Sequence, residues 1–322
     1  MSWHPAGDRR RMRGDGSTLG PVMPAIWLRD SPVFQLVEYT PIWLLLKVSS
    51  VIPADTRAKL WGNLGSQLTR VHPGFRNRVV RNLERVMPEL TARDRKRLLR
   101  LVGQNAALTL SELLFNGQFG GRRSRFDVAG PGLATVDAAR GKGCIIVSGH
   151  FGQWEAVRHV LRARDLTCAA IYKPNRNRFF DGVYLRNIKC GGEPIFEIGS
   201  AGMRDVVRHL RDGGFVSLLL DQRYARGEVL DFLGRPAMTS TIPAELALKF
   251  SVPIVPAYGT RLANSRISVE FETPIEHSDA ASMTQAINDS LAARVRRNPE
   301  QWNWLHRRWA NVPDRALPAG AK

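Results

Sequence analysis

From Gly141 onward, short apolar runs alternate with longer helical stretches, and this alternation narrows the fold more than any other feature of the chain. The first run, Gly143-Cys144-Ile145-Ile146-Val147, has no polar face and reads as a buried strand. Further strand patterns lie at 167–172, 215–220, 254–258 and 267–271, and helix patterns at 153–164, 178–189, 201–212, 242–250 and 283–296. The expected fold class is α/β, with a mixed, mainly parallel sheet covered by helices. Before Gly141 the pattern is helical, at 57–68, 75–86 and 91–115. Pro73 punctuates the first two of these, and Thr91 caps the third with Asp94 three residues on. The chain divides into a basic arm at 1–30 that reads as disordered, a membrane-associated or membrane-spanning helix at 31–55, and one α/β domain at 56–322.

Charge limits the partners. Lys and Arg number 47 against 29 Asp and Glu, a formal balance of +18. Such an excess points to an anionic partner: nucleic acid, an anionic membrane surface or a phosphorylated substrate. Residues 33–53 are the most apolar stretch and are nearly long enough to cross a bilayer. Glu38, Pro41, Lys47 and the basic arm oppose a clean span, so a helix lying in the membrane interface is expected, with Tyr39 and Trp43 at headgroup depth. A single span and a helix packed on the protein's own core are the alternatives. Cys144, Cys168 and Cys190 show neither paired nor metal-ligand spacing, and read as small buried hydrophobes.

The chemistry concentrates in Ser148-Gly149-His150-Phe151-Gly152-Gln153-Trp154-Glu155, at a strand-to-helix turn. An imidazole followed five residues later by a carboxylate suits general-base activation of a hydroxyl. A satisfied structural histidine has the same local signature, but the surrounding glycines allow a tight turn and close substrate approach. Asp221-Gln222 ends the 215–220 strand and shares the His150 edge of the sheet if the two strands are parallel; a capping aspartate is the plain alternative. Lys173, Asn175, Arg176 and Arg178 form a basic loop suited to phosphate, as well as to simple exposure. Arg186 suits bidentate binding of phosphate or carboxylate. Within 231–241, Gly234 and Pro236 mark a turn and the hydroxyl residues suit a helix cap near Ile242. Trp302, Trp304 and Trp309, interleaved with Arg307 and Arg308, suit a membrane surface, stacked bases or a packed helix, with His306 a weak catalytic candidate.

Taken together, Asn82-Leu83, Met87-Pro88-Glu89, Ser111-Glu112-Leu113, the Gly149–Glu155 block, Asp221-Gln222, Phe232-Leu233-Gly234, Thr239 and Trp304-Leu305-His306-Arg307-Arg308 resemble the late lipid A acyltransferases, the lauroyl/myristoyl acyltransferase family. That family is part of a wider glycerolipid-acyltransferase-like group marked by His, four residues, then Asp or Glu. The chain departs from the common pattern at Gln153, where Asn is frequent, and at Lys173-Pro174, where Arg precedes the proline. The resemblance implies transfer of a fatty acyl chain from acyl carrier protein to a hydroxyl of a phosphorylated lipid A precursor, at the cytoplasmic face of the inner membrane. It implies His150 as base, Glu155 as the group that orients and charge-balances it, and Arg186 and Asp221 as further functional positions; Gln153, Lys173, Arg176 and Gln222 complete the expected set as binding or supporting residues. It requires no cofactor and no metal. A superfamily relative acting on another glycolipid, such as a phosphatidylinositol mannoside, shares these residues. A basic nucleic-acid-binding protein would explain the charge but not the His150 block, and no nucleic-acid partner is expected.

Overall fold

The computed structural model describes residues 31–263, 265–310 and 312; the basic arm at 1–30 lies outside them. The described residues begin with four helices: α1 (Pro32–Val51), α2 (Ala54–Val71), α3 (Pro73–Val86) and α4 (Ala92–Leu114). Their starts follow from capping chemistry. The Ser31 side chain accepts the Phe34 N–H, Pro73 occupies the first turn of α3, and the Thr91 hydroxyl accepts the Asp94 N–H. The crossing of α2 on α4 rests on two glycines. A Cβ at Gly65 would lie 2.2 Å from the Gly103 carbonyl, and one at Gly103 would lie 2.5 Å from the Gly65 carbonyl.

After the short helix α5 (Asn116–Gly120) the chain builds a sheet from β1 (Phe126–Ala129), β2 (Cys144–Ser148), β3 (Cys168–Tyr172), β4 (Ile195–Glu197), β5 (Phe215–Leu219), β8 (Ile254–Arg261) and β9 (Ile267–Phe271). The spatial order is β1-β9-β8-β2-β5-β3-β4. Every neighbouring pair is parallel except β8 with β9. The apolar run in β2 is central, between β8 and β5, and each of its five residues is buried. The hairpin β6 (Glu228–Phe232) and β7 (Arg235–Thr239) stands apart as a two-stranded sheet, turning at Leu233 and Gly234 with positive φ.

Helices cover both faces. Between β1 and β2 lies α6 (Gly132–Ala138), and α7 (Glu155–Ala163) follows β2. Ala156, Val157 and Leu161 of α7 pack on Ile146, Phe215 and Val255. α8 (Arg178–Lys189) follows β3. α9 (Ser200–Arg211), α10 (Ile242–Phe250) and α11 (Ala280–Arg297) bury Val206, Ala244 and Ile287 against Ile145, Val147 and Val216. A third cluster joins α3, α4 and α11 to the hairpin and the C-terminal segment through Leu83, Val102, Phe232, Leu291, Trp302 and Trp304.

The expected α/β class and its five strand patterns are present. One expectation is corrected. The C-terminal tryptophans do not face a membrane or stacked bases: Trp302, Trp304 and Trp309 are in the core, since three indoles bury more apolar area together than any exposed arrangement allows. Tyr39, expected at headgroup depth, is buried in the protein. It stacks on Phe179 of α8 at 6.1 Å, while Glu38 beside it binds Arg176, so one side of α1 is committed to the protein itself. Trp43 is exposed, as are Val33, Leu36, Val37, Leu44 and Val48. Among the described residues no helix is long and apolar enough to cross a membrane, because Glu38 and Lys47 interrupt the apolar stretch.

Candidate active site

The register of the central strands places the site. Ser148 of β2 pairs with Leu219 of β5, so His150 and Asp221 each lie two residues beyond the same in-register pair. Parallel strands thus deliver an imidazole and a carboxylate to one edge, side by side. The His150 Nδ1 is 2.8 Å from Asp221 Oδ1, and the His150 backbone N–H donates to Oδ2 at 2.9 Å. The Trp302 indole also donates to Oδ2, at 2.8 Å. Burial pushes the Asp221 carboxyl up, but the His150 charge and the two His150 hydrogen bonds outweigh it, and the group is held far below the usual carboxylate range. A carboxylate facing Nδ1 fixes the proton on that nitrogen and leaves the Nε2 lone pair on the open side of the ring.

The Nε2 side is bordered by Gln222, whose side-chain nitrogen is 3.2 Å from His150 Nε2 and 2.9 Å from His306 Nε2. The His150 and His306 ring centroids are 5.3 Å apart, and Trp154 meets His150 edge-on at 5.0 Å. Burial lowers the His306 pKa, with the His150, Arg78 and Arg308 charges adding to it and Asp221 opposing. Arg308 is fully buried. Its guanidinium donates to the Gln222 and Met238 carbonyls and to the Thr239 hydroxyl, and burial pushes its pKa down to about 10.

Glu155, expected to hold His150, is turned elsewhere. It begins α7, and its carboxylate accepts from Arg158 at 2.7 Å and from Asn116 at 3.4 Å. Arg158 in turn donates to the Ile188 and Gly192 carbonyls. The reason is helical geometry: Arg158 is three residues on, on the Glu155 face of α7, whereas His150 precedes the helix. The carboxylate on His150 is Asp221. Gln153 is buried as well, donating to Glu112 Oε2 at 2.8 Å and accepting the Glu155 N–H, so it caps α7 from inside. Arg176 binds Glu38 of α1 at 2.8 Å. Lys173 is exposed in the loop after β3, and Arg186 is exposed on α8 with its guanidinium beside Gly182 of the same helix. Of the expected set, His150, Asp221 and Gln222 come together.

The residues beyond that set come from the C-terminal segment. Besides Trp302 on Asp221, the Asn303 N–H donates to the His150 carbonyl at 3.0 Å, His306 meets Gln222, and Arg308 holds the Gln222 backbone. Asn82 of α3 fixes this segment by donating to the Trp304 and His306 carbonyls at 2.7 and 2.9 Å. Among the described residues no group of three His, Cys, Asp or Glu side chains is arranged to hold a metal ion.

The profile of the bacterial lipid A biosynthesis acyltransferases matches residues 30–311. The chain belongs to this family. A phosphatidylinositol mannoside acyltransferase of Mycobacterium tuberculosis is 27% identical over 192 residues, covering 55% of this chain and 58% of its own length. The lipid A biosynthesis palmitoleoyltransferase of Escherichia coli (strain K12) is 22% identical over 241 residues, covering 72% of this chain and 78% of its own. The match thus spans a little over half the length of the mycobacterial relative. In this family member the His-to-Glu block, Asp221-Gln222, Asn82 and the Trp-Leu-His-Arg-Arg segment, which first marked the resemblance, are parts of a single edge of the fold.

Proposed function

We propose that this acyltransferase moves a fatty acyl chain from acyl carrier protein to a hydroxyl of a phosphorylated lipid A precursor. The observation that carries this reading is the buried Asp221 on Nδ1 of His150, which leaves Nε2 as a proton acceptor at the sheet edge. The acceptor oxygen attacks the thioester carbonyl while His150 Nε2 removes its proton. Asp221 stabilises the imidazolium that results. Collapse of the tetrahedral intermediate breaks the C–S bond, and the proton passes from His150 to the departing sulfur. The products are an ester and a free carrier thiol, and the chemistry uses only these side chains.

The formal charge of +18 favours a phosphorylated acceptor, an acidic carrier protein and an anionic leaflet. The exposed apolar residues of α1 favour attachment to the cytoplasmic face of the inner membrane. A second reading, acylation of a phosphatidylinositol mannoside, is supported by the mycobacterial relatives, whose identity is the higher but whose coverage is the shorter. Nucleic-acid binding keeps only the charge in its favour, because the tryptophans that would stack on bases are buried.

Incubation with mixed acyl-carrier-protein thioesters and the two acceptors in parallel, read by mass spectrometry, tests the reading. One added acyl chain on the lipid A precursor, lost in His150→Ala, is the expected result. Gain on the mannoside alone would replace the acceptor. Equal gain in wild type and variant would remove His150 as base.

A further inference from the structure

We propose that His306 is a positioning residue for the acyl transfer, acting through the side-chain amide of Gln222. The inference rests on the acyl-transfer reading of this site.

Hydrogen bookkeeping carries it. Asp221 faces His150 Nδ1, so that nitrogen carries the proton and Nε2 is an acceptor. The nitrogen of the Gln222 amide lies within hydrogen-bond distance of two acceptors, His150 Nε2 at 3.2 Å and His306 Nε2 at 2.9 Å. An amide nitrogen has two hydrogens, one for each ring. His306 therefore carries its own proton on Nδ1, a tautomer assigned from the network. The opposite amide orientation places a carbonyl oxygen against the His150 lone pair and is disfavoured whenever His150 is ready to act as a base.

The Gln222 side chain is exposed and has three rotatable bonds, so it needs a partner to hold it. His306 is that partner, at the shorter of the two distances. The framework fixes both: Arg308 donates to the Gln222 carbonyl at 3.2 Å, and Asn82 donates to the His306 carbonyl at 2.9 Å. When an acceptor hydroxyl takes its place at His150 Nε2, the amide keeps its bond to His306. The N–H that the hydroxyl displaces then stays beside the reacting centre, placed to donate to the oxygen that gains negative charge.

This role needs a neutral His306, because an imidazolium cannot accept from the amide. Burial first, and then the Arg78 and Arg308 charges against Asp221, favour the neutral ring, and His150 adds to them only once it is itself protonated. Protonation of His306 forces the amide to present its oxygen, which fits only a protonated His150. Two groups must therefore be free of protons for turnover, and the acid limb of kcat has a two-proton slope.

The test uses His306→Asn, His306→Phe, Gln222→Ala and the double variant His306→Phe/Gln222→Ala, with His150→Ala alongside, in the thioester and lipid A precursor assay. Either single change lowers kcat about 10- to 100-fold, the range expected when a group near the reacting atoms is misplaced, and leaves KM for the thioester nearly unchanged. The double variant loses no more than the worse single variant. The acid limb falls to a one-proton slope in both His306 variants, and a merely structural role does not move that slope. Losses that multiply in the double variant, or an unchanged two-proton slope, overturn the inference while leaving the role of His150 intact. If no acceptor is acylated by the wild type, the functional reading falls, and 15N NMR of the imidazoles decides the present point. Both rings unprotonated at Nε2, with the His306 midpoint moving in Gln222→Ala, supports it; a His306 ring protonated at Nε2, or indifferent to Gln222, overturns it.

Discussion

Trp302 donates its indole N–H to Asp221 Oδ2 at 2.8 Å, 81 residues away in sequence and at the base of the candidate site. The same oxygen accepts the His150 backbone N–H, and Oδ1 faces the His150 ring. The carboxylate is 1% exposed and is held by three donors, so its orientation depends on each of them. Asp221→Asn keeps the shape but presents an amide to Nδ1, which favours the wrong tautomer. Turnover falls about 10²- to 10⁴-fold, the range for disabling a general base and its orienting partner. Trp302→Phe removes one donor from a buried carboxylate and costs about 1–3 kcal/mol of stability, with a smaller loss of turnover. Steady-state rates with parallel urea denaturation check both. An Asp221→Asn enzyme with wild-type turnover would remove Asp221 from the mechanism.

Glu155 has a different part. Its side chain and that of Arg158 are 7% and 2% exposed, and together they tie α7 to the Ile188–Gly192 turn that ends α8. Glu155→Gln leaves the Arg158 charge buried without its carboxylate, at a cost of about 3–5 kcal/mol. Turnover per folded molecule falls less than in Asp221→Asn. Replacing both residues by methionine recovers part of the lost stability, because the stranded charge is gone. Chemical denaturation of the two variants, with activity scaled to folded fraction, separates this support role from catalysis.

The sequence made the β2 turn legible because Gly143–Val147 is apolar on both faces and ends in Gly149-His150, and Asp221 followed from a second such strand. The partner of His150 was not legible. Proximity in sequence favoured Glu155, whereas strand register, which no local pattern reveals, brings Asp221 in. The edge strands β1 and β4 escaped notice because they are four and three residues long and only partly buried. The hairpin at 228–239 was visible only as its Gly234 turn. The Trp302–Arg308 segment was ambiguous because tryptophan beside arginine suits a membrane, a base or a core equally well. Only the tertiary fold, through Asn82 and Gln222, shows that it builds the site.

His306 makes stability depend on pH. Its folded pKa is lowered from the ordinary 6.5, by burial first and the His150 charge second. Between that lowered value and about 6.5 the unfolded chain binds more protons than the native one, so stability rises with pH across this window and falls as pH drops through it. His306→Phe removes the contribution. Melting temperatures measured from about pH 7.5 down to pH 5 should decline less steeply in the variant than in the wild type. Parallel curves would mean that His306 titrates alike in both states.

A further prediction concerns the outer face of α2. Leu60, Leu64, Leu68 and Val71 are 51%, 46%, 43% and 71% exposed, and their spacing places them on one stripe of the helix. A second stripe, about a third of a turn round the helix, holds Trp61, Gly62, Gly65 and Thr69 and is buried, and Gly65 makes the close crossing with α4. These four residues are therefore not packed inside the fold, and at helical spacing they make an apolar stripe rather than scattered single residues. Burying one leucine in a bilayer interface is worth about 1.5–3 kcal/mol. Leu64→Glu/Leu68→Glu should then lower binding to vesicles containing anionic lipid at least tenfold, with an unchanged melting temperature. Sedimentation with vesicles at two ionic strengths measures this and separates apolar seating from the salt-sensitive attraction of the +18 chain. Equal sedimentation of variant and wild type at high salt would place the membrane contact elsewhere.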